Sequence, residues 1–148
     1  MDQYQHAVLR YDNLLLFGGD RRVLDGNAVP HAYSDMFSEI ADIGINTANA
    51  EEAANLAQLL STMFNLEPRH GQKSEFGGAY FECMKAPFLG KNGHIAMRTP
   101  DLTAAMEELK EKGFTFNMDT AAYFEDGRIK NVYLNGEYGG FAIHIMQK

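Results

Sequence analysis

Cysteine is almost absent from this chain. The lone Cys83 excludes an internal disulfide and points to a reducing compartment, with the cytoplasm as the expected location. Long apolar runs are missing too: none approaches the roughly 20 residues that span a bilayer, and Met1-Asp2-Gln3-Tyr4-Gln5-His6 lacks the basic start and apolar centre of a secretion signal. Positive charge is scarce. Thirteen Lys and Arg stand against 20 Asp and Glu, giving a net charge of −7, and the basic residues are scattered. A nucleic-acid or anionic-lipid footprint is therefore excluded, and the partner expected is a small molecule rather than nucleic acid or membrane. Gly18-Gly19 has neither the spacing nor the following helix of a phosphate-binding loop. What is present is 148 residues with 45% hydrophobic content, enough for one domain with a real core.

The chain repeats itself. Asp42-Ile43-Gly44-Ile45 and the helix starting near Asn49 match His94-Ile95-Ala96-Met97 and the helix starting near Asp101, both at an offset of 52 (94 − 42). Gly77-Gly78-Ala79-Tyr80-Phe81-Glu82 matches Gly139-Gly140-Phe141-Ala142-Ile143-His144 at an offset of 62 (144 − 82). Self-similarity on this scale means one supersecondary unit used twice. Asp42 is thus equivalent to His94, and Glu82 to His144.

Each unit reads as strand, helix, strand, strand, strand. In the first, Glu39 to Asn46 is a strand, and Asn49 caps a helix running to about Asn65, with Glu52 as reciprocal partner. Ala53, Leu56, Ala57, Leu60, Met63 and Phe64 form its buried stripe, widened by Leu59 and Leu66. Strands around Arg69 to Gln72 and Phe76 to Met84 close the unit, and Pro87 to Gly93 crosses to the next. In the second, His94 to Arg98 is a strand, Thr99 or Asp101 caps a helix with Pro100 in its first turn, and Leu102, Ala105, Met106 and Leu109 are its stripe before Gly113. Strands Phe114 to Phe124, Ile129 to Leu134 and Gly140 to Met146 follow, with turns at Asp126-Gly127 and Asn135-Gly136. Residues 1–36 stand outside the repeat as an arm and linker, with Leu14 to Leu24 reading as a short hairpin or a helical piece; the arm is expected to pack on the domain or on a neighbouring subunit. Residues 37–148 form the single domain, module one over 37–92 and module two over 93–148.

Asp42, Glu82, His94 and His144 each interrupt an apolar strand. A charged or imidazole group in a half-buried sheet is costly without a partner or a metal. Two carboxylates and two imidazoles suit a divalent transition metal: zinc, nickel, manganese or iron. The rival reading is an ion-pair network in which Arg98 pairs with Glu82 or Asp42 and no metal binds. Strand alternation places Tyr80, Met84, Ala96, Arg98, Ala142 and Met146 on the same faces as the four. Arg98 and Tyr80 are accordingly the candidate substrate-binding residues, with Arg98 suited to a carboxylate or phosphate. His6, His31 and His70 fall in loops or the arm and are expected to be solvated. Cys83 should face the helices as a core residue, and nothing singles out Tyr123 or Tyr133.

This order of elements and these polar positions resemble the vicinal oxygen chelate superfamily, the glyoxalase and extradiol dioxygenase group. The resemblance covers about Glu39 to Lys148. It implies an α+β fold of two tandem βαβββ modules forming a curved, mostly antiparallel sheet around a central cleft. It also implies a metal on ligands from the first and fourth strands of each module, here Asp42, Glu82, His94 and His144. The pattern departs from the commonest one at Asp42, where relatives often have His, and at His144, where many have Glu. A closer resemblance, through Leu89-Gly90-Lys91-Asn92-Gly93-His94-Ile95-Ala96 and Gly139 to His144, is to the glyoxalase-like domain that follows the barrel in some bacterial keto-deoxy-phosphogluconate and keto-hydroxyglutarate aldolases. Aldolase chemistry does not come with it, because it needs a Schiff-base lysine in an (α/β)₈ barrel for which two modules leave no room.

The function implied is a metal-dependent lyase, isomerase or epimerase acting on a small anionic oxo or sugar-acid-like substrate through a metal-stabilised enolate, with Glu82 or Asp42 as base. The alternative is a metal-free binding or regulatory module of sugar-acid metabolism. Members of the superfamily often pair modules between subunits, so a homodimer is expected.

Overall fold

The computed structural model describes residues 36–37 and 39–148; the arm and its hairpin reading lie outside the described residues, as do His6 and His31. The elements run β1 (Glu39–Asn46), α1 (Ala50–Phe64), β2 (Pro68–His70), β3 (Ser74–Gly77), β4 (Phe81–Met84), β5 (Gly93–Thr99), α2 (Leu102–Glu111), β6 (Phe116–Tyr123), β7 (Ile129–Leu134) and β8 (Phe141–Gln147). They build one eight-stranded sheet in the order β2-β3-β4-β1-β5-β8-β7-β6. Each module pairs its first strand in parallel with its fourth, β1 with β4 and β5 with β8, and every other pairing is antiparallel. The modules join through β1 and β5 at the centre. First and fourth strands of both modules therefore lie side by side, as β4-β1-β5-β8.

Local chemistry sets the helix limits. The Asn49 side chain accepts from the Glu52 N–H at 2.9 Å, while the Glu52 carboxylate reaches past the expected partner to the Ala48 N–H at 2.9 Å. Asp101, not Thr99, caps α2 by accepting from the Ala104 N–H at 3.0 Å. Pro100 consequently precedes the cap instead of opening the first turn. A second correction concerns Phe76 to Met84, which is not one strand. Gly78, at φ 65°, turns the chain into the β3–β4 hairpin, and Tyr80 lies in that turn. His70 lies in β2 rather than a loop, with its side chain exposed and its Nδ1 2.6 Å from Glu75 Oε2.

Both helices cover one face of the sheet. Leu102, Ala105 and Met106 of α2 pack with Val132, Leu134 and Ile145, joined at their edge by Met97, Leu109 and Ile143. Under α1 the core is smaller: Ala53 and Ala57 sit on Cys83, flanked by Leu56 and Leu60. The outer part of the expected α1 stripe is not buried; Leu59, Met63 and Phe64 are 54–56% exposed. The β3–β4 wing beneath is short and offers small residues. At Gly77 an added Cβ would stand 3.3 Å from Ala57 O and Leu60 Cβ, so the helix rests close on its alanine side. The larger residues at Leu59, Met63 and Phe64 remain at the surface. The opposite face of the sheet carries no described helix, and there the polar interruptions gather.

Candidate metal centre

Sheet register converts the sequence repeat into a checkerboard. Residues paired across strands share a face, so Glu82–Gly44–His94 form one row through β4, β1 and β5. Asp42–Ala96–His144 form the next row through β1, β5 and β8. In each row two donors flank a small residue, and Gly44 and Ala96 are equivalent at the offset of 52 (96 − 44). The small residues form the floor. At Gly44 the need is strict, because the His94 ring lies where a Cβ would be: the ideal Cβ position is 2.0 Å from Cε1, 2.2 Å from Nδ1 and 2.5 Å from Nε2.

The donors converge. His94 Nε2 is 3.2 Å from Asp42 Oδ1 and 3.2 Å from Glu82 Oε2. Asp42, His94 and His144 each present a ligand atom within 4.8 Å of the others. Donors around one ion at about 2.1 Å stand at most about 4.2 Å apart, so fitting an ion asks each to move by well under an ångström. Three buried nitrogens, His94 Nδ1 and both nitrogens of His144, find no hydrogen-bond partner among the described residues. An unsatisfied buried polar group costs about 1–3 kcal/mol, a cost that metal ligation by His144 would remove. Asp42, His94 and His144, with unclaimed nitrogen between them, fit a divalent ion; the fourth expected donor, Glu82, meets His94 but lies outside that convergent group of three.

Charge is distributed unequally. Burial works against a proton on His94, but Asp42 and Glu82 outweigh it and raise its pKa to about 9. Burial, and then the charge on His94, push His144 down to about 4, so it stays neutral and able to ligate. The hydrogen bond from His94 holds the Glu82 carboxyl below its usual range, against desolvation and with help from Ser74. Metal binding would displace the His94 proton.

Of the candidate substrate contacts, Arg98 shares the strand face of His94 and Ala96 but lies at the rim, Nη1 3.5 Å from Glu39 Oε1; it does not form the network with Glu82 or Asp42 weighed from the sequence. Tyr80 is exposed, its carbonyl accepting from the Ile43 N–H at 2.7 Å. Cys83 is buried on the helix side, its thiol pushed up to about 11 by burial and then by Glu82 and Glu75.

Three residues gained no role from sequence reasoning. Gly44 carried a signal, a glycine inside an apolar strand. Ser74, 2% exposed, donates to Glu82 Oε1 at 2.6 Å and fixes that carboxylate from β3. Tyr133 pairs with His144 across β7 and β8 and stacks on its ring at 4.6 Å and 13°. Its phenol is pushed up to about 12 by burial, then by Glu82 and Asp42, so it remains protonated. Neither Ser74 nor Tyr133 stands out locally, because each acts across a strand pairing.

No protein-family model and no curated protein matches this chain. Solved structures do match. A methylmalonyl-CoA epimerase aligns at 17% identity over 78% of this chain and 98% of its own, with a TM-score of 0.52. A methylmalonyl-CoA epimerase in complex with methylmalonyl-CoA and an ammonium ion aligns at 17% identity over 76% and 95%, with a TM-score of 0.51. A variant of the Streptomyces coelicolor methylmalonyl-CoA epimerase in complex with 2-nitronate-propionyl-CoA aligns at 17% identity over 76% and 98%, also at 0.51. What they share with this chain is the fold, one curved, mixed eight-stranded sheet with two helices in an α+β arrangement. No described helix is long and apolar enough to cross a membrane.

Proposed function

We propose that this protein binds a divalent metal through Asp42, Glu82, His94 and His144 and acts as an epimerase or isomerase on a small anionic oxo substrate. The observation that carries the reading is the convergence of two buried imidazoles, three of whose nitrogens lack partners among the described residues, with Asp42, and with Glu82 against His94, on the face away from the helices. A bound divalent ion would supply Lewis-acid stabilisation of two adjacent substrate oxygens as a neighbouring proton leaves.

The chain's own residues do the rest. Asp42 and Glu82 are the candidate bases, and Ser74 holds Glu82 so that one oxygen stays turned toward His94. A proton taken from the carbon beside a carbonyl and returned to the other face gives epimerisation; returned elsewhere it gives isomerisation. Tyr133 keeps the His144 ring in place, and Arg98 and Tyr80 are the rim groups available to the rest of a substrate. The shared fold with methylmalonyl-CoA epimerases supports the epimerase reading over the lyase, and a carboxylated thioester belongs among the substrates to try. Leu59, Met63 and Phe64, half-exposed on α1, support a homodimer that covers them.

The test is metal content followed by proton exchange. Purified protein is expected to hold one zinc, nickel, manganese or iron per chain, lost in the His94→Ala, His144→Ala double variant. The loaded protein is then expected to catalyse exchange of the α-proton of 2-oxo acids or carboxylated thioesters into D₂O, read by NMR. Folded protein that takes up none of these ions would reject the reading and leave a metal-free binder.

A further inference from the structure

The row that holds Glu82 and His94 does not stop at β4. It continues outward through Phe76 of β3, paired with Glu82, to Arg69 of β2, paired with Phe76. Arg69 therefore lies on the same face as the donors, at the edge of module one. Its guanidinium carbon sits 4.1 Å above the centre of the Phe76 ring. A guanidinium laid on an aromatic ring is held in orientation while its N–H edge stays open to a carboxylate or phosphate. Among the described residues no carboxylate pairs with Arg69, whereas Arg98 is engaged by Glu39 at 3.5 Å. In a chain of net charge −7, a cation left without a carboxylate on the face of the metal donors is out of the ordinary.

The module-two side differs. There the residue paired with the fourth-strand donor is Tyr133, which carries Phe88 edge-on at 5.9 Å instead of a cation. The two walls of the face are thus unlike: one ends in Arg69 over Phe76, and the other runs through Tyr133 to the uncharged Asn117 of β6.

Resting on the metal reading above, we propose that Arg69, seated on Phe76, receives a second anionic group of the substrate, a carboxylate or phosphate remote from the oxygens at the metal. Two strand steps separate Arg69 from Glu82, about 10 Å of backbone, and the arginine side chain spans much of that distance. The ligand class is a molecule with a chelating oxo-acid end and a distal anion. A monoanion of the same chelating group leaves the Arg69 site unused.

The experiment compares pyruvate with 2-oxoglutarate on manganese-loaded full-length protein by calorimetry. A bidentate charge-assisted contact corresponds to about tenfold or more, so 2-oxoglutarate is expected to bind the wild type at least about tenfold more tightly. Arg69→Ala should bring the two ligands together with manganese affinity unchanged, and Lys130→Ala, which removes another cation seated over a phenyl ring, should preserve the difference. Equal binding of the two by loaded wild type, survival of the preference in Arg69→Ala, or its loss in Lys130→Ala would overturn the assignment. Failure of the wild type to take up manganese or any other divalent ion would instead strike at the metal reading, and is read from the metal titration alone. Arg69→Lys separates charge from geometry: part of the preference should return, since a lysine supplies charge without the planar fork.

Discussion

Replacing Gly44 by alanine tests the floor of the site through the sign of its effect. Gly44 lies in β1 outside the set of left-handed glycines, so an alanine meets no torsional penalty there. On backbone grounds alone the change should stabilise a strand by about 0.5–1 kcal/mol. Against this stands the His94 ring, three of whose atoms lie 2.0–2.5 Å from the new Cβ. Ordinary carbon contacts are near 3.5 Å, so the ring must retreat by about 1–1.5 Å, and forced overpacking costs about 1–3 kcal/mol. The net expectation is a loss of about 1–2 kcal/mol in the metal-free protein and, with a ligand displaced, about 100-fold in metal affinity. Urea unfolding and manganese titration measure the two. The clash should vanish in a His94→Ala background, where Gly44→Ala becomes neutral or stabilising. A Gly44→Ala protein as stable as the wild type and equally able to bind metal would refute the arrangement of His94 over β1.

Three further outcomes are expected. Metal must displace the His94 proton, held up to about 9, so apparent affinity should climb about tenfold per pH unit and level off above that value; pH-independent affinity between pH 6 and 8 would contradict it. Metal-free stability should peak near pH 6.5. His94, raised to about 9, contributes stability that is full below 6.5 and lost as pH rises through 9, whereas His144, lowered to about 4, contributes stability present above 6.5 and lost as pH falls toward 4. The acid limb is on the order of 3 kcal/mol, and His144→Ala should flatten part of it in a urea series. Ser74→Ala frees Glu82 Oε1 and should lower metal affinity about 10–100-fold, measured calorimetrically; unchanged affinity would mean that Glu82 holds its position without Ser74.

Much of this was legible in the sequence because period and repetition are local signals. Strand β1 and the cap at Asn49 followed from alternation and capping chemistry, and β7 matched its expected limits, Ile129–Leu134. The convergence of Asp42, His94 and His144, with Glu82 against His94, was legible because the repeat placed the four at equivalent positions. The misses are non-local. Leu59, Met63 and Phe64 fit the helical period, yet the wing beneath α1 is too short to cover them. Ser74 and Tyr133 act only through partners across the sheet, at separations of 8 and 11 residues (82 − 74 and 144 − 133), which no linear pattern encodes. Arg98 stood out because it lies four residues from His94 (98 − 94) on the same strand face, while Arg69 reaches that face only through β3.

X-ray absorption on the metal-loaded protein tests the centre most directly. Two imidazole shells are expected in the wild type, with one lost in His94→Ala and one in His144→Ala, alongside carboxylate oxygens from Asp42 and Glu82. A bound ion whose spectrum is unchanged by both histidine substitutions would contradict the account.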